Sequence, residues 1–509
     1  MLAEFILTPE LTTKIIALSL YVLVLFLIGI FASRRVKNIS DYYVGGKNIG
    51  YWAVAFSARA TGESGWLLIG LTGMGALAGL SAYWVVLGEV LGVAISWQYM
   101  AKRFKKKSDE YGSLTVPDYL ESHFKSSTRF LRGLAATILS IFVVIYVGTQ
   151  IDVTGKAFES MMDMNYYHGA LLGFLIVLAY IFLGGFVAVV WSDVFQGVLM
   201  FLGLVLLPFV VWYNMGTNLD IVGSLQAIDP KLTNIWGGES FWLNVATILG
   251  FSMIGLGFLG SPQVYVRFMS IKDESEIDKG KWVAIFYTLL TDAAAVTIGI
   301  LARVYFTKEG QDPEAVFGIG GAPNVLSMVT ENFLPLGIAA IYVAIVLSAI
   351  MSTIDSLLVL ASSAVTRDFY QKIFNPSVSD EKLNKLSRYV TLIMALLSLA
   401  LAFGLAYFDP DRKLFWVMIF GWSGIAASFC PVIILSLFWK AYSEAGAIAS
   451  MISGFISVCF FKFVLQPIEG IGIYIEKLDV LAPSFVISLL CGWLFTKLFP
   501  KKNNTEITS

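Results

Sequence analysis

The sequence predicts an all-α polytopic membrane protein with about thirteen transmembrane helices. Three observations carry that expectation. Apolar residues make up 57% of the 509-residue chain and charged residues only 14%, against about 25% charge in an ordinary soluble domain. The apolar residues gather in runs of about 20, the length that spans a hydrocarbon core as a helix. Lysine and arginine cluster in alternate connections between those runs.

The runs fall at roughly 11–32, 50–79, 82–101, 131–162, 167–188, 191–215, 240–265, 281–305, 334–363, 388–408, 414–438, 443–465 and 481–498. The first has no basic flank or small-residue cleavage site and reads as a retained span. Arg34, Arg35 and Lys37 follow it; Lys102, Arg103 and Lys105 to Lys107 follow the third run. Arg267, Lys272, Lys279 and Lys281 lie around the seventh connection, Arg367, Lys372, Lys382, Lys385 and Arg388 around the ninth, and Lys497, Lys501 and Lys502 end the chain. That side is expected to be cytoplasmic, with the N-terminus outside and the C-terminus inside. The opposite loops, 216–239 and 306–333, are poor in lysine and arginine and hold turn residues such as Gly318 and Gly320-Gly321. Thr115-Val116-Pro117 suits the start of a short interfacial helix. Asn503 to Ser509 form a polar tail, and no soluble domain is expected.

Composition also narrows function. The net charge is −1, which gives no argument for a nucleic-acid partner. Cys430, Cys459 and Cys491 lie in apolar runs without metal-ligand spacing and read as small core residues. No nucleophile–base pair, phosphate loop or metal cluster marks an enzyme. A channel or a solute sensor is the rival from another class, and a sensor is expected to carry a signalling domain that the short tail does not provide.

Two spans are interrupted. The second breaks at Gly62 to Gly65 and holds Arg59 and Glu63; the seventh breaks at Gly255 to Pro262. Hydrocarbon penalises exposed charge and exposed backbone alike, so such breaks line protected cavities. Five spans separate them, so they enter from opposite sides. Paired broken helices in an inverted five-plus-five repeat build a midplane site for solute and ion. Glycines that only allow close helix packing are the plainer alternative.

The ninth span offers oxygen donors. Ser352 and Thr353 hydroxyls and the Ala349 carbonyl lie on one side of a helix and suit a hard cation. By spacing alone, hydroxyls bonding back to the carbonyl one turn earlier account for these residues better. Asp193, near the start of the sixth run, and Asp355 are each readable as a cap or as part of an ion route. Glu63 either meets a solute ammonium or the ion, or pairs with Arg59 one turn earlier. Asp152, Lys156, Asp292 and Arg303 lie nearer predicted ends, within reach of the interface.

Ser64-Gly65-Trp66-Leu67-Leu68-Ile69-Gly70-Leu71, Gly184-Gly185 to Gln196, Gly255 to Met269, Met351-Ser352-Thr353, and Trp439-Lys440 followed by Glu444-Ala445-Gly446-Ala447 resemble the sodium:solute symporter family, most closely its bacterial sodium/proline branch. The resemblance runs in order along nearly the whole chain. It implies a single LeuT-like transporter domain: an extra helix at 11–32, repeats at 50–215 and 240–438, and two further helices at 443–498. It implies a sodium site from the Ala60, Glu63 and Ala349 carbonyls with the Ser352 and Thr353 hydroxyls. A second sodium site, present in some relatives, falls on Asp193, with Ser352, Asp355 and Ser356 as partners. Solute contacts fall on Glu63, Ser64, Gly65, Tyr146, Ile254, Gly257 and Phe258. The chain departs from the branch at Gly62, where an aspartate is usual, and at Ile254, where a tryptophan is usual. The expectation is sodium-coupled uptake of a small organic solute such as proline; a sugar, sialic acid or carboxylate is the alternative within the class.

Overall fold

The computed structural model describes residues 8–126, 128–319 and 323–501; Gly320-Gly321, Lys502 and the tail Asn503–Ser509 lie outside them. Eleven helical stretches among the described residues are long and apolar enough to cross a membrane. One of these, Tyr51–Glu110, folds back on itself. Tyr51 and Lys102 both meet the start of helix Glu274–Phe306, at Glu276 and Asp278. Gly75 and Tyr83 both meet its far part, at Val296 and Thr297. Gly79, at φ 58°, makes the turn. Counting this stretch twice and adding the shorter apolar helix Tyr166–Ile181 turns eleven into thirteen.

In chain order the passes are α1 (Pro9–Ser33), α2 (51–78), α3 (83–110), α4 (Phe130–Met162), α5 (Tyr166–Ile181), α6 (Gly185–Met215) and α7 (Phe241–Ser270). They continue as α8 (Glu274–Phe306), α9 (Leu336–Phe374), α10 (Asp380–Phe408), α11 (Leu414–Phe438), α12 (Glu444–Leu465) and α13 (Leu481–Leu498). Several run past their apolar stretch, because hydropathy marks where hydrocarbon ends and not where the helix does. Lys102 to Lys107 and Arg367 to Lys372 therefore sit on the helical ends of α3 and α9.

Arg267 differs more. The sequence places it among basic loop residues, yet it lies inside α7 and is only 1% exposed. The α5–α6 boundary also shifts. The break is at Gly185 (φ 53°, ψ −149°), so Asp193 stands two turns into α6. The short helix Val116–Phe124 forms as expected, with the Thr115 hydroxyl accepting from the Asp118 N–H at 3.0 Å.

Helix α9 is central: every residue of its most apolar window is buried, against 28% for α1, α10 and α12. Around it, α2 and α7 run in opposite directions. The Ile49 N–H donates to the Ser270 carbonyl (3.1 Å) and the Lys272 N–H to the Ile49 carbonyl (2.9 Å), joining the entry of α2 to the exit of α7. At the other end Met74 and Ala78 share a cavity of about 300 Å³ with Asn244 and Phe251. Helix α3 packs onto the α7 break through bare backbone: a Cβ at Gly88 would overlap Ser252, and one at Gly255 would overlap Gly88. Valine at Gly255 is expected to cost about 1–3 kcal/mol through overpacking, read as a lower thermal midpoint of the purified protein.

Candidate functional site

Both breaks form where the sequence places them. In α2 the distortion falls on Ser64, at φ 28° and ψ −168°, a conformation that side chains rarely adopt and that costs about 1–3 kcal/mol. Neighbours hold it in place. The Ser64 hydroxyl lies 3.2 Å from the Tyr146 hydroxyl. The Gly65 N–H donates to Gln150 Oε1 at 3.1 Å, and the Trp66 indole donates to the Gly62 carbonyl at 3.1 Å. In α7 a tight turn runs over Ile254–Leu259 and the helix restarts at Pro262, whose fixed φ suits a first helical turn.

An aromatic wall joins the two breaks. The Trp422 indole donates to the Ile254 carbonyl at 3.0 Å; its ring lies 5.0 Å from Phe258 and 6.5 Å from Tyr146. A Cβ at Gly257 would sit inside the Trp422 ring. Ser64, Gly65, Tyr146, Ile254, Gly257 and Phe258 thus converge. Two members were missed from the sequence. Gln150 lies one turn after Tyr146, a spacing that places both on one face of α4, and its buried Nε2 has no partner among the described residues. Trp422 gave no signal, being one aromatic residue in an apolar span.

Glu63 turns elsewhere. Its Oε1 accepts from Arg59 Nε (3.0 Å) and Nη2 (2.7 Å), with the Thr291 hydroxyl at 3.2 Å. The break comes after Glu63, so the one-turn spacing to Arg59 survives. The Arg59 guanidinium also stacks 4.5 Å from the Phe258 ring centre.

The oxygen donors of α9 meet the first half of α2. The Ser352 hydroxyl lies 2.9 Å from the Ala60 carbonyl and 3.1 Å from the Ala349 carbonyl. The Thr353 hydroxyl lies 3.0 Å from the Thr61 carbonyl and 3.3 Å from the Ala349 carbonyl. Five oxygens from two helices therefore gather in one buried place, and back-bonding within α9 accounts for only part of the set. The Glu63 carbonyl accepts instead from the Trp66 N–H.

Asp193 and Asp355 have different hydrogen-bond donors. Asp193 Oδ2 accepts from Ser57 (2.5 Å) and from Arg267 Nη2 (2.9 Å). The same guanidinium nitrogen donates to the hydroxyls of Ser356 (2.5 Å) and Thr61 (2.6 Å). Asp355 accepts from the Tyr180 hydroxyl at 3.0 Å. Asp152 and Asp292 are both buried inside the protein, where Asp152 pairs with Arg412 and accepts from Tyr166 at 2.5 Å.

Comparison with known proteins bears on the family and the fold. The model of the sodium:solute symporter family matches residues 42–454. The chain is 34% identical over 470 residues to the high-affinity proline transporter PutP of Bacillus subtilis, covering 92% of this chain and 94% of that protein. It is 32% identical over 460 residues to the sodium/proline symporter of Salmonella typhimurium, covering 89% and 88%. Among solved structures, a Na+-coupled sialic acid symporter superimposes with a TM-score of 0.76 at 19% identity, covering 96% of this chain and 99% of that one. MhsT in complex with L-phenylalanine superimposes at 0.51 and 13% identity, covering 86% and 97%. At these identities the two structures speak for the fold alone.

Proposed function

The chain belongs to the sodium:solute symporter family, a sodium-coupled symporter of small organic solutes, and from that premise we propose that it carries proline into the cell by alternating access. The observation that carries the reading is the meeting of the Ser352 and Thr353 hydroxyls with the Ala60 and Thr61 carbonyls. A sodium ion held there ties α9 to the first half of α2, so its binding favours the state in which that half is fixed. Coupling follows if sodium and solute bind one conformation better than the other. The membrane potential adds about 2.3 kcal/mol per charge per 100 mV.

The ligands of this ion are the Ala60, Thr61 and Ala349 carbonyls with both hydroxyls; the Glu63 carbonyl joins if the break relaxes. A second ion at Asp193, Asp355 and Ser356 requires the Arg267 guanidinium to withdraw first. The solute sits at Ser64, Gly65, Tyr146, Gly257 and Phe258, with the Gln150 Nε2 donor for its carboxylate and the aromatic wall against its ring. The repeats span 50–215 and 240–438, and the face rich in lysine and arginine is cytoplasmic, with the N-terminus outside.

Uptake of labelled solutes into proteoliposomes tests the reading. Proline should accumulate under an inward sodium gradient and not when potassium replaces sodium; accumulation of sialic acid or a sugar in its place overturns the solute assignment. Phenylalanine at Tyr146 removes the hydroxyl that steadies Ser64. It is expected to raise the KM for proline by about five- to tenfold, the value of one hydrogen bond.

A further inference from the structure

We propose that Glu89 and Asp292, beside the paired Arg59 and Glu63, form a proton-binding site whose protonation sets how readily the helices open. The proposal rests on the reading of the chain as a carrier that moves about its broken helices.

The cluster joins three elements: Arg59 and Glu63 on α2, Glu89 on α3, and Asp292 beside Thr291 on α8. All four charged side chains are at most 1% exposed. One guanidinium faces three carboxyl groups. Arg59 is taken up by Glu63 Oε1, and its Nη2 is 3.9 Å from Glu89 Oε2, beyond hydrogen-bond reach. Among the described residues, both Glu89 oxygens, Glu63 Oε2 and Asp292 Oδ2 have no hydrogen-bond partner. Asp292 lies in the field of Glu63, Glu89 and Arg59.

The other titratable groups that face the cluster do not balance it. Tyr287 of α8 donates its hydroxyl to the Gly197 carbonyl at 2.8 Å. Tyr146 of α4 is engaged with Ser64, and Asp193 of α6 is paired with Arg267 of α7. Fully ionised, the cluster carries two uncompensated negative charges inside a membrane protein. An isolated buried carboxylate takes up a proton before it bears that cost.

A proton fits better than a second metal ion. The guanidinium amid the acids repels a metal cation, whereas a proton needs no coordination shell. It also turns an acceptor-only carboxylate into a donor, which the unpartnered oxygens lack. The step is simple: one O–H bond forms on a carboxylate with a proton from water, and the same bond breaks on release. Two protons bring the cluster to neutrality. Their loss leaves charges that only entering water relieves, and this drives the elements apart. The link to the carrier cycle is short, because Glu63 directly precedes strained Ser64 and the Arg59 guanidinium lies against Phe258 of the α7 break.

Infrared spectra of the purified full-length protein in detergent provide the test. The wild type is expected to show a carbonyl stretch of protonated, buried carboxylic acids at neutral pH that disappears at alkaline pH. Glu89→Gln and Asp292→Asn should each remove part of it. Sodium-driven uptake by the wild type should fall severalfold as the medium turns alkaline; each variant should weaken that dependence and the double variant should lose it. The absence of such a band from the wild type overturns the proposal, as does a band displaced by sodium or potassium and not by alkali. A band with the expected behaviour in a protein that moves no solute supports the proton site while sinking the transport reading.

Discussion

Alanine at both Ser352 and Thr353 is expected to raise the sodium concentration for half-maximal uptake by about 100-fold or more, with uptake recovering at high sodium. The two hydroxyls are the only side-chain oxygens among the five that gather between α9 and α2; the others are carbonyls of Ala60, Thr61 and Ala349, which substitution leaves in place. A hydrogen-bonding group acting on a charge contributes about 1.5–3 kcal/mol, or about ten- to a hundredfold in affinity for each hydroxyl. Thr353→Ser keeps the oxygen and should keep the titration, whereas Thr353→Val keeps the shape and should lose it. Sodium titration of proline uptake in proteoliposomes reads all three variants. An unchanged midpoint in the double alanine variant would remove this site from the mechanism.

Breaking the Asp193–Arg267 pair should have the next largest effect. Both side chains are at most 1% exposed, and the guanidinium also reaches Ser57, Thr61, Ser356 and the Gln263 carbonyl. It thereby staples α7 to α2, α6 and α9. Arg267→Ala strands a buried carboxylate, a loss of about 3–5 kcal/mol. The thermal midpoint of the purified protein should drop and uptake should fail. Removing both charges, as Asp193→Asn with Arg267→Gln, leaves no stranded charge and should recover much of the midpoint. The double variant should therefore be less damaged than the sum of the singles; additive losses would show that the two charges do not act as a pair.

The helical passes and both breaks were legible because they rest on chain-local causes. Apolar length fixes a span, and the runs Gly62–Gly65 and Gly255–Pro262 mark where a helix is weak, although neighbours hold the strained Ser64. The oxygen donors of α9 were half legible. Their spacing on one helix was visible, but the Ala60 and Thr61 carbonyls that make them a site lie nearly three hundred residues earlier. Two residues resisted for opposite reasons. Arg267 sits in a basic stretch, and only burial beside Asp193 distinguishes it from Lys272. Trp422 acquires its meaning from Gly257, whose missing side chain admits the indole. Asp292 stands near the middle of its span whether that begins at Lys281 or at Glu274, and its burial beside α2 and α3 comes from packing that chain position does not reveal.

The bridge between Ile49 and residues 270–272 has a consequence for how the sequence can drift. It is made of two main-chain N–H groups and their carbonyl acceptors, so the bridge itself uses no side chain. Mutations there should accumulate with little harm over evolutionary time, and a scan of ordinary substitutions at Ile49 and Lys272 would make the joint look dispensable. Proline alone among the natural residues removes the donor it needs.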